Sequence, residues 1–353
     1  MKAPGCYALL RQVGWVALGV TAGLALGRCT VGPPEEGPVP PHPIKQPPLR
    51  DPLQESAKDR ASARPSPAFP SGEYRLHWDA PRLLGVLQVS ETAETSGLCA
   101  GRLREDLLYT HDDSGGEPVL RAFDRRGRLH AEVRLVGALN LDWEDIACGP
   151  GPEGRSTLYV GDIGDNLKLR PAIAIYRIPE PELPCSPVPL RIDVKPEVFT
   201  LEYPDGPHDA EALLVHPWTG MVYIVTKSER GAALYHAPLV PGRRGELRRL
   251  QVLHLPPGRG SARVTAGDFY PDGRYVALRA RHYAVEYRVV SRTPPLLELS
   301  DPVVVPLSGL AAGEALGYRA GGLALLVTIE GPRAPLHEIP SLEALLLELA
   351  GRR

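Results

Sequence analysis

The strongest constraint on this chain is a short pattern that keeps returning. An acidic or small pair followed by an anchoring hydrophobe occurs at residues 94–98, 142–146, 209–213, 265–269 and 312–316. Its anchors, Leu98, Ile146, Leu213, Phe269 and Leu316, are spaced 48, 67, 56 and 47 residues apart. After each anchor come a turn and a second apolar run, at residues 107–110, 158–161, 222–225, 275–278 and 323–327. Third runs (119–123, 173–178, 233–236, 284–289) and fourth runs (131–136, 198–203, 250–255, 303–307) complete most units. Four antiparallel strands per unit, repeated at a period near 50, are the signature of a β-propeller. The expectation is an all-β chain of five blades, with six as the alternative if the longest unit hides another. The last unit lacks a fourth strand. Spare strand material at 74–78 and 83–89 would complete it, close the ring and remove exposed sheet edges.

Composition enters at the two ends. The formal net charge is −2, so the chain has no basic footprint for nucleic acid. Lys2 and Arg11 precede an apolar run at 13–27; about 15 residues suit a signal-peptide core better than a spanning helix, which needs roughly 20. The run ends Leu24-Ala25-Leu26-Gly27-Arg28-Cys29, which resembles a bacterial lipoprotein signal except at Arg28, where that pattern takes a small residue. The resemblance implies lipidation of Cys29; plain export and an uncleaved anchor stay open. Residues 30–71 are rich in proline and cannot bury a core, so they read as an extended linker. The expected organisation is therefore 1–29 signal or anchor, 30–71 linker, 72–340 propeller and 341–353 a helical tail. The protein is expected to be exported to the periplasm or cell surface, to be monomeric, and to meet a membrane only through its N-terminal segment. The five cysteines form no CxxC pair, which excludes a zinc ribbon. Cys99 and Cys148 fall at similar places in consecutive units, and either pair or remain buried thiols.

Consecutive antiparallel strands reverse, so first-strand starts and second-strand ends share one face of the ring. The first set holds Glu94, Asp142, Glu144, Asp209, Glu211, Asp268 and Glu314. The second holds His111, Asp112, Asp113, Asp162, Asp165, Asn166 and Lys227. Carboxylates converging on a channel mouth repel one another, and a shared cation removes that cost. Oxygen donors favour calcium, or magnesium, over zinc. Glu94, Asp142, Glu144, Glu211, Asp268 and Glu314 are the expected metal set, because Glu is a poor turn former yet recurs in this register. The second set is the expected ligand-binding group, although Asp in tight turns also bonds backbone amides. His208 and Asp209 are candidates for activating water. No Gly-x-Ser-x-Gly elbow, phosphate loop or dinucleotide fingerprint occurs.

Thr110-His111-Asp112-Asp113-Ser114-Gly115, residues 142–147, 159–166 and 209–213 together resemble a group of exported bacterial propeller proteins of unassigned function. More distantly the chain is similar to the esterase-like phytase family and to calcium-dependent lactonase propellers. That similarity implies one metal at the mouth, with Glu144, Glu211 and Glu314 in its register, but no asparagine set accompanies them. Three functions follow as expectations: a propeller binding a divalent cation and a ligand or partner at its mouth, a metal-dependent hydrolase of phosphoesters or lactones, and a surface scaffold with no small-molecule site.

Overall fold

The structure, a computed structural model, describes residues 76–351 apart from 89–94, 185, 187, 230, 257–261, 292–295, 308, 311–312, 330 and 332. The signal segment, the linker, Glu94 and Cys185 lie outside the described residues.

Five sheets form the five blades of a β-propeller. Blade one comprises Thr95–Ala100, Leu107–Asp112, Val119–Asp124 and Leu129–Leu135. Blade two comprises Trp143–Pro150, Ser156–Asp162, Ile173–Pro179 and Glu197–Glu202. Blade three is Ala210–Val215, Val222–Thr226, Ala232–Ala237 and Arg248–Leu253. Blade four is Val264–Phe269, Tyr275–Ala280, Tyr283–Ser291 and Val303–Pro306. Blade five takes Ala315–Tyr318, Ala324–Thr328 and Pro335–Pro340 from the end of the chain, and Arg82–Val86 from its start as the outer strand. The first strand of each blade packs on that of the next, and the fifth returns to the first.

The burial pattern explains why these runs became these strands. Inner strands are covered on both faces, so they read as unbroken small or apolar residues; every residue of Ala210–Val215 is buried. Outer strands keep a wet face and alternate, as Leu190–Val194 does. Between blades lie apolar clusters, such as Tyr109, Leu120, Val133, Trp143 and Val160 between the first and second. Burying each such side chain contributes about 1.5–3 kcal/mol.

The 67-residue spacing contains no sixth blade. The chain leaves the third strand of blade two, adds Leu190–Val194 in parallel to the outer strand of blade one, and only then returns as Glu197–Glu202. Blade one thereby gains a fifth strand, and the edge of Leu129–Leu135 is covered. The tail is the helix Leu342–Gly351, whose Leu342, Leu345 and Leu346 are buried. Cys99 and Cys148 form a disulfide between the inner strands of blades one and two, with Cα atoms 5.7 Å apart.

One local irregularity repeats. In blades two, three and four the register slips one residue near the start of the first strand: between Trp143 and Asp145, Ala210 and Ala212, and Val264 and Ala266. Glu144, Glu211 and Thr265 therefore stand in β-bulges. A bulge leaves its residue out of the ladder and re-aims its side chain. Blade five shows no slip; Ala315 pairs with Thr328 and Leu316 with Val327.

Candidate metal centre at the channel mouth

Two bulge residues and the residues preceding their strands build the site. Asp142 precedes Trp143–Pro150, Asp209 precedes Ala210–Val215, and the bulges add Glu144 and Glu211. One carboxylate oxygen each from Glu144, Asp209 and Glu211 lies within 4.8 Å of the others. A second group, Asp113, Asp142 and Glu144, meets the same limit. Two oxygens each about 2.4 Å from a calcium ion are at most about 4.8 Å apart, so each group has the spacing of a cation cage. Glu144 belongs to both.

The loops are tied down so that these groups stay together. Asn140 Nδ2 donates to Asp113 O at 2.7 Å, while its Oδ1 accepts from Trp143 N at 3.2 Å. Asp162 Oδ1 accepts from Asp142 N at 3.1 Å and pairs with Arg170 Nη1 at 2.8 Å. Asp209 Oδ1 accepts from Asp165 N at 2.9 Å, and Asp209 O accepts from Lys227 N at 2.8 Å. Gly164 passes so close that a Cβ there would collide with the Glu144 carboxylate and with Asp142.

Charge is crowded here. Glu144 is buried, and its pKa stands well above the ordinary carboxylate range, first through burial and then through Glu211, Asp113 and Asp142, with Lys227 opposing. Glu211 is pushed up to about 8 by burial, against the pull of Lys227, with Glu314 and Asp209 adding to the rise. Asp142 is raised by burial and by Asp209. Burial also draws the Lys227 ammonium downward, but Glu211, Glu144 and Asp209 outweigh it and hold it above its usual value. Lys227 Nζ is ion-paired to Glu211 Oε1. Glu211 Oε2 is buried and has no hydrogen-bond partner.

The remaining expected residues are placed differently. Asp268 is two residues deeper than the repeat alignment put it. Val264 opens the pairing of its blade as Trp143 and Ala210 do, which makes Thr265, and not Gly267, the counterpart of Glu144. Two strand residues are about 7 Å, and Asp268 instead accepts from Tyr318 N at 2.8 Å. It lines a recess at the far end of the channel with Cys99, Cys148 and Phe269. Glu314 precedes Ala315 as Asp209 precedes Ala210, so it matches Asp209 rather than the bulged glutamates; neither three-carboxylate group includes it. It lies near Arg279, a buried guanidinium that donates to the carbonyls of Leu310, Ala315 and Thr328.

His111 is buried edge-on against Trp143 and bonded through Nδ1 to Asp112 O at 2.9 Å; burial holds its pKa down at about 4, so it is a neutral core histidine. Asp112 pairs with Arg121 at 2.7 Å. Asp165 accepts from Leu169 N and Arg170 N, which is turn chemistry. Asn166 is exposed on that turn. His208 Nε2 lies 3.0 Å from Asp205 Oδ1 and 3.1 Å from the Tyr235 hydroxyl, so its ring is committed to that trio.

Sequence reasoning passed over Asp145. It is fully buried on the channel axis. Oδ1 accepts from Ile146 N at 2.9 Å; Oδ2 accepts from Leu213 N at 2.9 Å and Gly267 N at 3.3 Å. One carboxylate thus joins the inner strands of blades two, three and four. Alternation was the available signal: on a strand, neighbours of Glu144 face the other way.

A scan of protein-family models finds no match to the chain, nor does a search of curated proteins. What fold and site define together is a five-bladed propeller with a carboxylate-lined mouth. No helix among the described residues is long and apolar enough to cross a membrane.

Proposed function

We propose that the protein binds a divalent cation, calcium by its chemistry, between Glu144, Asp209 and Glu211, with Asp142 and Asp113 also grouped about Glu144. One observation carries the reading: the Glu211 carboxylate is buried among like charges and keeps one oxygen without a hydrogen-bond donor. Burying a charge without a partner is costly, and a hard cation supplies the missing partner for the whole group. Calcium suits the site better than magnesium because it accepts several carboxylates in irregular geometry, whereas magnesium demands a near-ideal octahedron. A bound cation cancels part of the mouth's negative charge and offers an anionic group a direct ligand position, with Lys227 paired to Glu211 beside it. The ligand is accordingly an anionic group approaching along the channel axis. The test is metal content of the purified protein together with a melting scan in calcium and in chelator. About one bound ion per chain and a higher Tm in calcium are expected; no ion and coincident melting curves would overturn the reading.

A further inference from the structure

The rim beside this mouth is apolar where a soluble rim is ordinarily polar. Leu167 and Leu169 are 78% and 74% exposed, the two highest values for large apolar side chains among the described residues. Leu139 and Leu141 are 62% and 58% exposed. Scattered exposed leucines are unremarkable; four on two adjoining loops are a patch. The loops adjoin because both end on Asp162, which accepts from Asp142 N and pairs with Arg170. They lie at the mouth end by topology: one leads into Trp143–Pro150, the other leaves Ser156–Asp162. Nor is the outer loop loose. Asp165 accepts from Leu169 N and Arg170 N with its carboxylate and from Lys168 N with its carbonyl, at 2.8 to 2.9 Å. Lys168, exposed between the two leucines, holds a positive φ of 54°. A leucine turn this firmly ordered presents its side chains outward by construction.

We propose that this rim inserts into an anionic phospholipid surface when the mouth holds its cation; the inference rests on the cation reading above. Two features choose a bilayer over an amphiphile held in a cleft. The leucines project from a turn and do not line a wall, which suits insertion into an extended apolar phase. Lys168 sits between them, where headgroup phosphates would lie, and long basic side chains keep their charge at that level while the stem is buried. Asp113, Asp142, Glu144, Asp209 and Glu211 oppose anionic lipid, and a bound cation that offsets part of their charge weakens that opposition, which makes the attachment cation-dependent. A chain carrying the apolar run at 13–27 would meet such a surface.

The test uses the full chain, with a readout at the rim that a separate N-terminal attachment does not move. Leu167→Trp is mixed with vesicles of phosphatidylglycerol and brominated phosphatidylcholine, in calcium and in chelator, against the parent protein. Quenching of the added indole in calcium and its loss in chelator are expected. Leu167→Asp with Leu169→Asp should lower the calcium-dependent share of vesicle binding at least about tenfold. Calcium binding measured without vesicles separates the two readings. If calcium binds and the indole is not quenched, the membrane proposal falls and the cation site stands. Quenching equal in calcium and chelator overturns the proposal too. So does a dimer dissolved by the double aspartate variant without quenching, which would make the rim a contact between copies.

Discussion

The waist of the channel and its mouth hold the same kind of group, a buried carboxylate, and treat it in opposite ways. At the waist Asp145 receives three backbone amides from three blades, one on Oδ1 and two on Oδ2. At the mouth Glu211 receives one lysine on Oε1 and nothing on Oε2, and Glu144 faces three like charges. The waist carboxylate substitutes for ladder bonds that inner strands of different blades cannot make with one another. Of the mouth carboxylates, Asp209 accepts one amide from the neighbouring blade, at Asp165, but Glu144 and Glu211 contribute no such cross-link. Their proximity disfavours the folded state unless something positive arrives, and this is why the mouth reads as a ligand site and the waist as scaffold.

The sharpest way to break the comparison is Asp145→Ala. Three buried amides lose their acceptor, and each unsatisfied group costs about 1–3 kcal/mol. A loss of about 3 kcal/mol or more is expected, a large part of a typical domain's total, visible as a lower denaturant midpoint or as failure to accumulate folded protein. A change within about 1 kcal/mol would remove Asp145 from the scaffold. Glu144→Gln probes the mouth and should act with the opposite sign. It relieves repulsion from Glu211, Asp113 and Asp142, so the chelated protein should be more stable than the parent. The calcium-induced rise in Tm should vanish with it. If the variant is less stable in chelator and still responds to calcium, waist and mouth do not differ in the way argued.

The blades, their strand order and the closing strand were legible because an inner strand covered on both sides leaves an unbroken apolar trace, and turns punctuate it. The common place of Cys99 and Cys148 in the repeat left a disulfide and buried thiols both open, and the structure joins the two. The mouth was half legible. Asp142, Glu144, Asp209 and Glu211 could be read from the motif, and the structure brings them together. Asp268 and Glu314 could not be placed, since aligning on the hydrophobic anchor assumes an equal count of residues from strand start to anchor. Phe269 lies two residues further into its strand than Ile146 does, and blade five lacks the bulge, so the assumption fails in those two blades. No composition or spacing announces a bulge of this kind. The tie of His208 to Asp205 and Tyr235 was equally hidden, because it depends on a cross-strand neighbour and not on the local run.

A third expected effect separates the two regions by pH. Below the mouth, burial raises Asp268 to about 7 against the amides of Tyr318 and Phe269. Glu286, bonded to the Tyr318 hydroxyl and Leu342 N, is likewise raised to about 7 by burial, with Glu343 adding to it. Both folded values exceed the unfolded ones, so both groups bind protons more tightly in the folded chain. Their contribution is complete below the unfolded values near 4 and is lost as pH rises through about 7. The protein should therefore be more stable at pH 5 than at pH 8, by on the order of 1–2 kcal/mol after allowance for local relaxation. Calcium lies out of reach of both groups, so this slope should persist at saturating calcium, and Asp268→Asn with Glu286→Gln should flatten it there. A slope that calcium abolishes in the parent protein would instead originate at the mouth, and the carboxylates below it would then be no more than passive members of the core.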